Sequence, residues 1–163
     1  MKSIHKQVEI VVHLNNEPAS VGKVMVAATT PNVEIFASCF CWQRDGAVVR
    51  LVTEDARKTA QALAAAGFQY ETDSVLLIGL RESPGVAAQA GLLLSAAGIT
   101  VSHSYVSWTD HHEAFAVFKT TDDDRALRVL QVNALVEGLV LEKRCRVPSE
   151  RTLRMSVAGR LVA

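Results

Sequence analysis

Glu82-Ser83-Pro84-Gly85-Val86 joins a strand-like run to a helix-like run, and its residue types suit the capture of a small anion. A helix N-terminus presents unpaired N–H groups and about half a positive charge, which favours a carboxylate or phosphate there. Gly85 has no Cβ, so a ligand can approach the backbone closely. Asn15, Asn16 and Glu17, or Arg81, Glu82 and Ser83, offer amide, carboxylate or hydroxyl partners for an ammonium group. The same five residues also read as a plain helix start with proline in its first turn. The residues alone leave both readings open.

Other reactive side chains lead elsewhere. Asp110-His111-His112-Glu113 has the composition of a metal site but falls at a hairpin tip, where adjacent histidines diverge into solvent, so no metal is expected. Cys39 and Cys41 share one face of a strand, without the second pair that zinc requires, and read as buried strand residues. His103 reads as strand filler, and Trp42 and Trp108 as packing or inter-subunit contacts. Asp122-Asp123-Asp124 opens a helix, where acids complement the dipole. No nucleophile with a base, and no pair of carboxylates in separated environments, can be picked out. The chain is therefore expected to be no enzyme and to need no cofactor.

The elements that must position these groups occur twice. An offset of 66 residues, without a gap, carries Pro18 onto Pro84, Val33 onto Ile99, Trp42 onto Trp108, Ala60 onto Ala126 and Leu63 onto Val129. Such self-similarity decides the fold. In the first copy, Gln7–Leu14 alternates as a strand, and Ser20 caps a helix with Val21, Val24, Met25 and Ala28 on one stripe. Strands follow at 33–43 and 47–53, then a helix over 54–66 with Ala56, Ala60, Leu63 and Ala64 inward, stopped by Gly67. A fourth strand spans Phe68–Asp73. The second copy runs strand 74–80, helix 85–97, strands 99–108 and 113–119, helix 122–132 and strand 134–142.

Each copy thus reads βαββαβ. The expected fold class is α+β: two tandem ferredoxin-like units, each an antiparallel four-stranded sheet with two helices on one face. The units span 1–73 and 74–143, and 144–163 is an extension with no counterpart in the repeat. Val11 and Val49 suggest that the sheet face away from the helices, or the sheet edge, is also covered.

The segment Val75–Val86, then Leu92-Leu93-Leu94 and Ala97-Gly98-Ile99-Thr100-Val101, resembles the opening of an ACT domain. Val8–Leu14, Asn16-Glu17-Pro18 and Asn32-Val33-Glu34-Ile35 resemble it in the first copy, so the likeness covers roughly residues 7–142. The resemblance implies a regulatory module that binds a small molecule, most often an amino acid, held where two units meet by the first loop and the start of the second strand. Carried over, it implies a site at Ser83, Pro84, Gly85, Val86, Ile99 and Thr100. It implies a weaker second site at Glu17, Pro18, Ala19, Ser20, Val33 and Glu34. There Ala19 replaces the turn glycine and Glu34 would repel a carboxylate.

At 163 residues, with 49% apolar and 21% charged side chains, the composition is that of an ordinary globular chain. A lone 66-residue unit would bury only about 60% of its unfolded surface, so the copies are expected to share a core or a sheet. No run approaches the roughly 20 apolar residues of a membrane span, and three cysteines without framework spacing fit a cytoplasmic protein. The net charge of zero argues against nucleic acid as the main partner. Residues 141–163 carry six basic side chains against two acidic ones, read as a solvated tail or packing arm. The expected function is an amino-acid-binding regulator that signals by changing its self-association, as a homodimer, or its association with a partner. The alternative is a regulatory subunit of an amino-acid biosynthetic enzyme acting mainly by protein contact. The length and Asn16-Glu17-Pro18 also resemble the small regulatory subunit of acetolactate synthase, although there the second half is not a repeat of the first.

Overall fold

Two long strands, β1 (Ile4–Leu14) and β4 (Tyr70–Leu80), form the centre of the molecule and pair antiparallel from Ile4↔Ile78 to Val12↔Tyr70. The pair Val8↔Ser74 is carried onto itself by the 66-residue offset, so a local two-fold axis passes through it. The computed structural model describes residues 4–14, 20–29, 33–43, 46–80, 85–108 and 114–144; in the last helix, side chains are described as far as Asn133.

The remaining elements are α1 (Ser20–Ala28), β2 (Ile35–Gln43), β3 (Gly46–Thr53), α2 (Ala56–Ala65), α3 (Gly85–Ala96), β5 (Val101–Trp108), β6 (Ala114–Thr120) and α4 (Asp123–Arg144). One antiparallel six-stranded sheet has the order β2-β3-β1-β4-β6-β5. The C-terminal half of β1 pairs with β3, and the C-terminal half of β4 with β6. Each half therefore owns a four-stranded sheet, β2-β3-β1-β4 or β5-β6-β4-β1, with β1 and β4 common to both. The α+β class and the tandem ferredoxin-like units are as expected from sequence. Sharing two strands removes two sheet edges that would otherwise expose unpaired backbone.

That sharing explains the expectations that need correcting. The strands read at Phe68–Asp73 and Ser74–Leu80 are one element, β4. Residues 134–142 are not a strand but part of α4, because the place beside β4 is already filled by Ile4–Val8 of β1. The local signal agrees. Gly67, at φ +85°, ends α2, and Phe68 N–H returns to the Leu63 carbonyl at 3.0 Å; the corresponding position after α4's first turns is Ala134, which stops nothing.

The gap-free alignment also needs one correction. Bulges recur at Ile35/Ala37 and Val101/His103, consistent with 66, but Trp42 pairs with Ala47 while Trp108 pairs with Ala114. Beyond the second hairpin the offset is therefore 67. Asp55 and Asp122 each accept from a backbone N–H three residues on, and Leu63 corresponds to the buried Leu130 rather than to Val129. Within α2, Thr59 is buried and Ala64 faces solvent, contrary to the expected stripe.

Two cores lie on the helix side of the sheet. Ile10, Val12, Leu14, Val49 and Leu51 meet Val24, Ala28, Ala60 and Leu63 in the first half. Leu76, Ile78, Leu80, Ala116 and Phe118 meet Ala90, Leu94, Ala126 and Leu130 in the second. Val49 is thus a helix-side residue. The opposite face, which includes Val11, is covered by the sheet itself. The sheet curls until β2 touches β5 and β6, with Phe36 and Phe115 ring centroids 5.4 Å apart. Ala37, Val52, Val75, Leu77 and Val117 fill this inner face.

Candidate functional site

Gly85 is the exposed first residue of the 12-residue helix α3, and Val86 behind it packs on the second core. The N–H groups of a first helical turn have no intrahelical acceptor, so this end of α3 presents a set of donors. The other half of the candidate site is already committed to the fold. Ile99 is buried, and its N–H donates to the Leu94 carbonyl at 2.9 Å as part of the α3 cap, with Gly98 at φ +69°. Thr100 exposes its side chain while its carbonyl accepts from Thr121 N–H at 3.0 Å. Ser83 and Pro84 lie outside the described residues.

In the first half, Glu17, Pro18 and Ala19 likewise lie outside the described residues. Ser20 and Val33 are buried, and the Glu34 carbonyl accepts from Glu54 N–H at 2.9 Å, the counterpart of the Thr100 bond. Leu14 and Leu80, which lead into the two candidate loops, point to opposite ends of the sheet. They are separated by roughly 40 Å at about 3.3 Å per residue. The two places are therefore separate within one chain.

They also differ in room. A groove of about 380 Å³ runs along α3 and β5, lined by Ala87, Ala88, Gly91, Ser104, Val106 and Phe118 among others. At the offset of 66, Ala87, Gly91 and Val106 correspond to the bulkier Val21, Met25 and Phe40.

Sequence reading missed a second polar constellation, on the inner face. Glu9 is fully buried. Its carboxylate accepts from Arg50 Nη1 at 2.7 Å, Tyr105 Oη at 2.9 Å and His103 Nε2 at 3.1 and 3.2 Å. The His103 and Tyr105 rings lie nearly parallel, at 12°. Burial first, then the Glu9 charge, pushes the Tyr105 hydroxyl far above its ordinary range, so it stays a donor. Glu9 and Arg50 come from the first half, His103 and Tyr105 from the second. Their repeat counterparts are Val75, Val117, Ala37 and Cys39, three of which belong to the apolar inner core. An ion pair closed on itself, with its own donors, is a clasp across the seam. His103 is thus a partner of Glu9 rather than strand filler. Only the outward polar period of β1 hinted at Glu9, and that signal ordinarily means solvent.

Cys39 is half-buried and Cys41 exposed, so the expectation of two buried residues fails for Cys41; the sulfurs are 3.4 Å apart. Asp110, His111, His112 and Glu113 lie outside the described residues. Among the described residues, no group of three metal-ligating side chains converges, and no helix is long and apolar enough to cross a membrane.

A family model described as an ACT domain pair matches residues 4–144. No curated protein matches the chain. Among solved structures, a Bacteroides thetaiotaomicron protein is 23% identical at a TM-score of 0.64, covering 80% of this chain and 88% of that one. The regulatory subunit of aspartate kinase from Thermus thermophilus, ligand-free, is 12% identical at 0.54, covering 79% and 93%. Aspartokinase alpha and beta subunits are 19% identical at 0.51, covering 79% and 95%. At these identities the likeness is one of fold.

Proposed function

The chain belongs to the ACT domain-pair family, a regulatory, ligand-binding class, and from that premise we propose that it senses an amino acid and signals by changing its association with itself or a partner. The observation that carries this reading is the start of α3, where Gly85 is exposed and first-turn N–H groups lack intrahelical acceptors, at the head of the helix that lines a groove with β5. In the proposed complex the ligand carboxylate takes the N–H groups around Gly85 and Val86. Its ammonium group meets oxygens near Arg81–Ser83 or on a neighbouring copy. Its side chain lies along Ala87, Gly91 and Val106, which favours a modest apolar group. The companion place at Ser20, Val33 and Glu34 is proposed as the weaker site, because bulkier side chains stand there and because of the Glu34 charge.

Dissociation constants from about 1 mM to 1 μM correspond to roughly −4 to −8 kcal/mol. That suffices to bias an interface if the ligand prefers one associated state. Equivalent apolar patches, Val26, Phe40 and Trp42 in one half and Leu92, Val106 and Trp108 in the other, support association; both tryptophans are about two-thirds exposed, at 64% and 65%. Such patches mark contact surfaces, and a homodimer is the proposed form. A thermal-shift screen of the common amino acids tests the proposal, since a true ligand at a hundredfold excess over its dissociation constant adds about 2.7 kcal/mol. No stabilisation by any amino acid would overturn it.

The regulatory-subunit reading draws support from the fold shared with the aspartate kinase regulatory subunit. It is favoured if one enzyme is recovered stoichiometrically in a pull-down while no amino acid stabilises the isolated chain.

A further inference from the structure

Cys39 and Cys41 lie on the inner face of β2, where the curled sheet opens to solvent beside the clasp. Their thiols are 3.4 Å apart, Cys41 exposed and Cys39 half-buried close to Tyr105, Arg50 and Glu9. We propose that this pair is a redox-active dithiol, closed to an intrachain disulfide by a hydroperoxide and reopened by a thiol such as glutathione.

The two sulfurs differ in environment in the way such chemistry requires. Burial, followed by the hydrogen bond with Cys41, pushes the Cys39 thiol up to about 11. At neutral pH it remains protonated, so it does not attack the oxidant itself. Cys41 meets the oxidant first. Its thiolate attacks one oxygen of the hydroperoxide, an S–O bond forms and the O–O bond breaks, and the departing oxyanion takes a proton to leave as an alcohol or water. Cys41 is then a sulfenic acid. The Cys39 sulfur, already in van der Waals contact, attacks the Cys41 sulfur; the S–S bond forms, the S–O bond breaks, and the hydroxide leaves as water with the Cys39 proton. Two thiols lose two electrons in all, and the hydroperoxide gains them.

Residues two apart on a strand have Cα atoms about 6.6 Å apart, at the upper end of the disulfide range, so closing the bond shortens β2 locally. A bond formed under such constraint is easily reduced, which suits a reversible site. The shortening falls on the strand that meets β5 at the seam, beside Tyr105.

The test treats the full-length chain with stoichiometric hydrogen peroxide and measures peptide masses. The peptide holding both cysteines is expected to lose two hydrogens and regain them with glutathione, unchanged in a Cys145→Ser variant. In Cys39→Ser, dimedone is expected to trap a sulfenic acid at Cys41, whereas the unaltered chain gives little adduct because Cys39 resolves it. Free thiols at both positions after oxidant has been consumed, or disulfides formed only with Cys145, would overturn the proposal.

Discussion

Glu9 stands where a strand's polar period ordinarily faces water, yet it is the acceptor for three side chains from two halves of the molecule. Removing one partner of a buried ion pair leaves the others uncompensated. Glu9→Ala is therefore expected to lower stability by about 3 kcal/mol in a urea melt, and Tyr105→Phe by about 1.5 kcal/mol, the scale of a hydrogen bond to a charged group. Equal and negligible effects would mean that the clasp is ornamental. Asp123 makes a pH-dependent contribution. Burial alone would raise its carboxyl, but hydrogen bonds from Thr120 and Lys119 hold it below the ordinary value. A depressed acid stabilises the fold above its unfolded value, and that contribution disappears as the pH falls below about 4. Asp123→Asn should therefore lower stability at neutral pH and flatten the acid limb of the stability curve. None of these partnerships could be read from the chain alone, because each joins side chains 41 to 96 residues apart except the local Asp123 contacts.

At the scale of elements the sequence was far more legible. Alternation in β1, the stripe of α1, the range of α3 and the glycine stop at Gly67 all depend on neighbours in the chain, and the structure has them within a few residues of expectation. The failures came where a non-local strand competed. β1 filled the place intended for 134–142, and no local pattern reports that. Likewise, the one-residue shift in the second hairpin was hidden because Ala126 matched both Ala60 by residue type and Thr59 by position. Gly67 carries a local prediction. Its positive φ disfavours any Cβ although there is open space around it, so Gly67→Ala should cost about 1–2 kcal/mol, read from the same melts. A smaller loss would point to a cap that relaxes.

The whole molecule is a near-symmetric body whose two ends have diverged. The shared strands β1 and β4 run from one end to the other, so the two ends are joined by a single sheet rather than by a linker. The exposed tryptophans lie on the outer strands of both halves; the proposed homodimer predicts a dimeric mass by light scattering for the unaltered chain and a monomeric one for a Trp42→Glu, Trp108→Glu double variant. The start of α3 at Gly85 was legible in the sequence, but the groove along that helix was not, because Ala87, Gly91 and Val106 meet only after folding. The decisive measurement is calorimetric titration of the best-stabilising amino acid into the unaltered chain and into Gly85→Asp. An aspartate at the first turn complements the helix dipole, so the fold should survive, while its carboxylate displaces the ligand's. Loss of binding with an unchanged melting temperature is the expected result; equal affinity in both chains would contradict a site at the start of α3.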